Sequence, residues 1–205
     1  MFSYALSEVL GELFALPFTA SLLGAVLAHD YDTHHHLVHT GTLAARVGLA
    51  AGLDNAGAVV LGQAALFHDI GKVHVDRRVL TAPRPLCTSE WQAMRDHPGR
   101  GEAMLLEAGA PKLAAIVRSH HERIDGSGYP DGLRGGRIPW KSRLLAVVDA
   151  FDAMRSGRPY APCVGHGEAL ARLANAPHLF DPDAVDALAA ALRYPVVGEA
   201  LPALP

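Results

Sequence analysis

Two short stretches decide the fold of this chain: HDIGK at residues 68–72 and HHERIDGSGYP at residues 120–130. Each places a histidine directly beside another histidine or an aspartate. Such neighbours reach one metal ion only where the backbone turns both side chains inward. Imidazole and carboxylate together suit Fe, Mn, Zn or Ni rather than Mg or Ca alone. The two clusters therefore predict a site for several metal ions, of the kind that supports hydrolysis.

The bulk composition indicates one globular domain. Of the 205 residues, 50% are hydrophobic and 19% are charged, which is enough apolar content for a large core. The net charge of −3 argues against a generally basic surface, so long nucleic acids are not expected partners. Cys87 and Cys163 are too few for a disulfide framework, and they fit a reducing cytoplasm.

The apolar stretch at residues 13–28 is a candidate targeting or membrane segment. Pro17, Thr19 and Ser21 interrupt it, and Glu8 and Glu12 precede it in place of basic residues. A membrane-spanning helix needs about 20 apolar residues, and a secretory signal begins with positive charge. We therefore predict buried helices and no transmembrane segment, with a membrane-surface or partner contact as the alternative.

Helical periodicity dominates the chain, and strand-type alternation is nearly absent. Five glycines and a proline predict a loop at residues 125–138. Ser89 is the expected N-cap of one helix. Helices are predicted at residues 38–53, 56–66, 89–97, 99–108, 111–121, 142–154, 168–175 and 182–192. We predict an all-α fold in which several helices carry ligands into a shared interior.

The motifs resemble those of the HD phosphohydrolases, and the second motif resembles the HD-GYP family in particular. His68-Asp69 carries the first likeness, and Gly128-Tyr129-Pro130 after the paired histidines carries the second. The likeness covers about residues 28–190. It implies a single HD-type helical bundle at residues 28–192 with a buried multi-metal site. A helical extension at residues 1–27 would pack on this domain, and residues 193–205 would form a tail.

The resemblance also implies which residues bind metal. Seven positions match the metal ligands of the family: His36, His68, Asp69, His97, His120, His121 and Asp149. Asp69 would bridge two ions, one of them held with His36, His68 and Asp149 and the other held by the remaining three histidines. Asp32, four residues before His36, is a candidate ligand for a third ion. Iron or manganese is the expected metal.

Members of the family hydrolyse cyclic di-GMP, so the resemblance implies a phosphodiesterase that yields linear pGpG, with further hydrolysis to GMP left open. Asp69 and Lys72 are the expected catalytic residues, and Lys72 would also contact a phosphate oxygen as a point charge. Tyr129 and Arg158 are the other expected substrate contacts. The expected partners are cyclic di-GMP or a related dinucleotide, together with a second copy or a regulatory protein at the N-terminal helices.

Two other interpretations stay open. Ala161 stands where the family often has a second basic residue, which leaves another cyclic dinucleotide or a nucleotide phosphoester as the substrate. A catalytically weak sensor that binds the dinucleotide is the third interpretation, although the complete ligand set argues against it. Asp152 is expected to cap or pair, Glu122 to orient a ligand imidazole, and His39 to lie at the surface or in a satisfied core position.

Overall fold

The computed structural model describes residues 2–156 and 163–193, and the regular elements of those residues are all helical. Short 3-10 helices occupy Ile70–His74 and Gly135–Arg137. The α-helices are α1 (Phe2–Glu12), α2 (Thr19–His29), α3 (Tyr31–Ala50), α4 (Asn55–Phe67), α5 (Arg77–Leu80), α6 (Thr88–Arg95), α7 (His97–Glu107), α8 (Pro111–Arg118), α9 (Trp140–Ser156), α10 (His166–Ala174) and α11 (Pro182–Leu192). The predicted all-α class is confirmed.

Three helix ends differ from the predicted ones. Helix α3 begins at residue 31 rather than 38, because the Asp30 carboxylate accepts a hydrogen bond from the Thr33 backbone N–H at 2.8 Å. Helix α6 begins at Thr88, and its N-cap is Cys87 rather than the predicted Ser89. Helix α8 ends at Arg118, so the paired histidines lie in the turn beyond it rather than on the helix.

Small residues let the central helices α3 and α4 approach closely. A Cβ atom at Gly62 would lie 3.1 Å from the Gly41 carbonyl oxygen and 2.4 Å from the Leu13 side chain. Leu13, which directly follows α1, therefore fills the space above this helix pair and is almost fully buried. Helix α9 packs against α3 and buries Leu145 and Phe151, so these three helices surround the ligand-bearing interior.

The N-terminal helices share this core. Val9 of α1 and Val26 of α2 belong to the same buried cluster as the side chains of α3 and α4. The division into an extension at 1–27, a domain at 28–192 and a tail stays a prediction, and residues 194–205 lie outside the described part. None of the described helices combines the length and the hydropathy that a membrane span requires.

Candidate metal centre

The predicted ligands come together in the interior from five separate parts of the chain. One ligand lies on α3, one at the first position of α7 and one on α9. Two lie at the end of α4, and two lie in the turn after α8. The seven residues are His36, His68, Asp69, His97, His120, His121 and Asp149. Most of their surface is buried, and the side chains of His36, His121 and Asp149 are the partly accessible ones.

One half of the cluster lies between α3, the end of α4 and α9. His36 Nε2 is 3.3 Å from His68 Nε2 and 3.2 Å from Asp149 Oδ1. His68 Nε2 in turn lies 3.4 Å from Asp69 Oδ2 and 3.6 Å from Asp149 Oδ1. The ligand atoms of His36, His68 and Asp69 lie within 4.8 Å of one another, as do those of His68, His120 and Asp149, so these imidazole and carboxylate donors could hold a metal ion.

The other half lies between the end of α4, the start of α7 and the turn after α8. His97 Nε2 is 3.0 Å from Asp69 Oδ1 and 3.3 Å from His120 Nε2. A ligand atom of His121 lies within 4.8 Å of the other three. The two oxygens of Asp69 therefore face different halves of the cluster, which is the position that a bridging carboxylate needs.

Three of the histidines are oriented by the same local device. Each donates Nδ1–H to a carbonyl oxygen three residues earlier: His68 to Ala65 (2.7 Å), His97 to Met94 (2.6 Å) and His120 to Val117 (2.6 Å). A carbonyl oxygen only accepts, so Nδ1 carries a proton, and Nε2 is the nitrogen left to bind a metal ion. Such bonds fix the tautomer and the ring direction of metal-binding histidines.

The result is a set of facing acceptors that fits a cation. His97 Nε2 and His120 Nε2, the nitrogens left to bind metal in these two rings, lie only 3.3 Å apart. Asp69 Oδ1 is buried and has no hydrogen-bond donor in the described residues. Buried acceptors this close repel one another unless positive charge lies between them. The donor set and its orphaned oxygen therefore fit divalent metal ions.

The electrostatics of the cluster favour positive charge as well. Burial would lower the pKa of His68, but the Asp69 and Asp149 carboxylates outweigh it and raise that pKa to about 10. Burial would raise the pKa of Asp69, yet Lys72 and His68 hold it well below the usual range. Burial lowers the pKa of His121 to about 3, so that ring stays neutral and able to bind metal.

A second layer supports His36 from outside. The buried Asp152 carboxylate accepts a hydrogen bond from His36 Nδ1 at 2.5 Å and another from His39 Nδ1. Asp152 thus pairs, as predicted, and it shares its charge between a ligand and the half-exposed His39, whose role the sequence did not indicate. Glu122 hydrogen-bonds to the loop: its carboxylate accepts from the backbone N–H groups of Asp131 (2.7 Å) and Leu133 (3.0 Å), and no bond to a ligand ring is found among the described residues.

The opening of the cluster is lined by Lys72 and Tyr129. Lys72 Nζ lies 2.5 Å from Asp69 Oδ2, and the side chain is partly exposed. The Tyr129 ring lies 4.8 Å from the His121 ring, centre to centre, and its backbone N–H donates to the His121 carbonyl oxygen. Above Tyr129 lies the Arg95 guanidinium, 4.6 Å from the ring centre, which sequence reasoning missed.

Comparison with known proteins shows which family this chain belongs to. The HD domain family model matches residues 21–184. This chain belongs to the HD domain family. Its curated relatives place it in the HD-GYP type. One, a cyclic di-GMP phosphodiesterase response regulator of Xanthomonas campestris, is 39% identical over 175 residues, or 82% of this chain and 45% of that protein.

A second curated relative and a solved structure are also similar to this chain. The 3′3′-cGAMP-specific phosphodiesterase 3 of Vibrio cholerae is 35% identical over 158 residues, 76% of this chain and 34% of that protein. The solved HDG"Y"P protein of Bdellovibrio bacteriovorus shares the fold with a TM-score of 0.64 at 22% identity, over 78% of this chain and 52% of that one. The chain spans less than half the length of the two curated relatives.

Not every predicted site residue of this HD domain lies at the cluster. Asp32 is exposed on α3 and belongs to none of the ligand groups of the described residues. Arg158 and Ala161 lie outside the described residues. Arg123 donates to the His120 and Glu122 carbonyl oxygens, and Arg143 pairs with Asp181.

Proposed function

We propose that this HD domain is a metal-dependent phosphodiesterase that hydrolyses cyclic di-GMP to linear pGpG or GMP. The observation that carries the proposal is the Asp69 carboxylate, which has inward-facing histidine nitrogens beside both of its oxygens. The printed name of the Xanthomonas relative supports cyclic di-GMP as the substrate.

The cluster suits this reaction because a phosphodiester is shielded by its own negative charge. Two divalent ions in such a site supply a nucleophilic water at neutral pH and neutralise charge on the phosphate oxygens. His36, His68 and Asp149 would hold one ion and His97, His120 and His121 the other, with Asp69 as the ligand of both. The partly exposed edge at His36, His121 and Asp149 leaves a side from which the substrate can enter.

Lys72 would act in two ways at this edge. Its ammonium group keeps the Asp69 carboxylate ionised and oriented through their 2.5 Å contact. The same group is exposed enough to contact a phosphate oxygen of the bound diester. Burial, with Asp69 and Asp149 nearby, raises the pKa of Tyr129, so its hydroxyl stays protonated and can donate to the substrate. Arg158 is proposed as a further phosphate contact.

The finer features of the centre are also proposals. Iron or manganese is the proposed metal, because five imidazoles and two carboxylates match the preferences of both. A third ion would need Asp32 to turn toward the cluster from its exposed position. A cytoplasmic location is consistent with the free, exposed Cys87 and Cys163. Dimerisation or a regulatory partner would use the N-terminal helices, where Tyr4 of α1 and Phe14 of the following turn are exposed.

The first experiment is anaerobic purification, metal quantification, and product analysis after cyclic di-GMP is added with Fe(II) or Mn(II). We expect bound metal and the formation of pGpG or GMP, both lost in Asp69→Ala. Metal without turnover of cyclic di-GMP would move the substrate to another phosphoester. Tight dinucleotide binding with neither metal nor turnover would instead indicate a sensor.

A second candidate substrate is 3′3′-cGAMP, which the printed name of the Vibrio cholerae relative supports. The two substrates share the reacting phosphodiester and differ in one purine base. The metal cluster therefore does not discriminate between them. Measuring kcat/KM for both dinucleotides in parallel distinguishes the two candidates. If the value is higher for 3′3′-cGAMP, that dinucleotide replaces cyclic di-GMP as the proposed substrate.

A further inference from the structure

Arg95 is a cation held at the rim of the metal centre. It is the last residue of α6 and is exposed, and its guanidinium carbon lies 4.6 Å from the centre of the Tyr129 ring. Within the described part of the chain, no acidic side chain forms an ion pair with it. Its charge is therefore available to a ligand at the opening of the cluster.

The position of Arg95 relative to the cluster is fixed from two sides. On one side, the Tyr129 ring under the guanidinium packs against the ring of His121 at 4.8 Å. On the other side, the carbonyl oxygen of Met94, the residue before Arg95, accepts the Nδ1–H of His97. Both neighbours of Arg95 are thus attached to predicted metal ligands, and the His121–Tyr129–Arg95 stack leads from the cluster to the surface.

The chemistry of this rim fits a nucleotide. A guanidinium stacked on an aromatic ring keeps its N–H donors at the edges, where they match the oxygens of a phosphate in a bidentate contact. Trp91 lies one turn before Arg95 on the same face of α6 and is 51% exposed, which offers a surface for a purine base. A ligand that fits both side chains carries a phosphate for the guanidinium and a flat aromatic base for the Trp91 ring, and a dinucleotide has both.

We propose that Arg95 binds the phosphodiester of the cyclic dinucleotide that is not being hydrolysed. This inference rests on the proposed function. A cyclic dinucleotide has two diesters on opposite sides of one ring, so a substrate with one diester at the metal cluster presents the other away from it. The exposed guanidinium beyond Tyr129 is placed to receive that second diester, while Lys72 serves the first.

The test compares metal-loaded wild-type protein with Arg95→Ala, Arg95→Lys and the control Arg172→Ala, which removes an arginine from the surface of α10. The substrates are cyclic di-GMP, with two diesters, and bis(p-nitrophenyl) phosphate, with one. We expect Arg95→Ala to lower kcat/KM for cyclic di-GMP about 10- to 100-fold, mostly through KM. Metal content and turnover of the single diester should stay at the wild-type level, and Arg95→Lys should recover part of the loss.

A second measurement separates a phosphate contact from a base contact. Cyclic di-AMP has the same two diesters and different bases, so its inhibition constant against cyclic di-GMP hydrolysis should rise in Arg95→Ala by a similar factor. An unchanged inhibition constant would mean that Arg95 reads guanine, which overturns the proposal. An equal loss on bis(p-nitrophenyl) phosphate, a loss of metal, or unchanged kinetics would overturn it too. If the wild-type protein hydrolysed no dinucleotide, the proposed function itself would be wrong, and this result is distinguishable from the outcomes that concern Arg95 alone.

Discussion

Replacing Gly71 by alanine tests whether the metal centre depends on the close approach of two backbone segments. Gly71 follows the His68-Asp69 pair by two residues and packs against the start of α7. A Cβ atom at this position would lie 2.1 Å from the His97 carbonyl oxygen and 2.7 Å from the Gly101 backbone nitrogen. Because both are backbone atoms, no side-chain rotation relieves the overlap.

The size of the displacement decides the expected effect. Cβ atoms essentially never approach other atoms below 3.0 Å, so the turn and α7 must separate by about 1 Å. His97 Nε2 now lies 3.0 Å from Asp69 Oδ1. A metal site tolerates deviations of only about 0.2 Å in its ligand distances. We therefore expect metal affinity to fall about 10- to 100-fold, as when a supporting contact is lost. The free energy of unfolding should fall by about 1–3 kcal/mol.

Metal competition against a chelating dye measures the affinity, and urea denaturation with excess chelator measures stability apart from the metal. Gly136→Ala is the matched control, because no atom lies within 4 Å of a Cβ atom built there. If Gly71→Ala bound metal like the wild-type protein and unfolded at the same urea concentration, the argument that this contact sets the ligand distances would be refuted.

Four further predictions concern the cluster. Asp69→Ala should abolish metal binding and turnover while the helical circular dichroism spectrum persists, and wild-type turnover would contradict a bridging role. Lys72→Ala should keep the metal content and lower kcat for cyclic di-GMP, and unchanged kinetics would leave Lys72 without a role in the reaction. Asp152→Asn should weaken metal binding about 10- to 100-fold in a chelator competition, because His36 loses its carboxylate partner. An unaltered affinity would show that His36 needs no such support. Removal of metal should lower the melting temperature, since a ligand at 100 times its Kd stabilises a fold by about 2.7 kcal/mol. Identical melting curves with and without chelator would argue against metal binding by the folded chain.

The sequence predicts most of the fold because its signals are local. Helix α11 has the predicted bounds, since Pro182 at its start and the apolar spacing that follows act within the helix itself. The ligand pairs at residues 68–69 and 120–121 are also local signals, and the structure brings them together as expected. The predicted start of α3 was wrong by seven residues, although an aspartate at position 30, three residues before Thr33, is a typical N-cap residue.

The supporting contacts were harder to predict because they depend on packing between distant segments. Asp152 meets His36 and His39 across more than a hundred residues of chain. A signal was nevertheless present: His36 and His39 are three residues apart on one helix, and Asp149 and Asp152 are three apart on another. The two residues of each pair lie on the same face of their helix, so these two faces can pack against each other. No comparable spacing in the sequence predicts the position of Arg95, because its contact with the Tyr129 ring depends on the three-dimensional fold.

The orientation of the histidines bears on how this HD domain selects a cation. His68, His97 and His120 each bond to their own backbone three residues earlier, so folding alone turns their Nε2 atoms inward. In the neutral rings the Nε2 acceptors of His97 and His120 repel each other at 3.3 Å, and the backbone hydrogen bonds hold both rings in place. A cation between them relieves this repulsion without any rearrangement of the rings. Selectivity should therefore depend on which ion matches a fixed set of distances and donors, and the backbone contacts that fix those distances matter as much as the ligands.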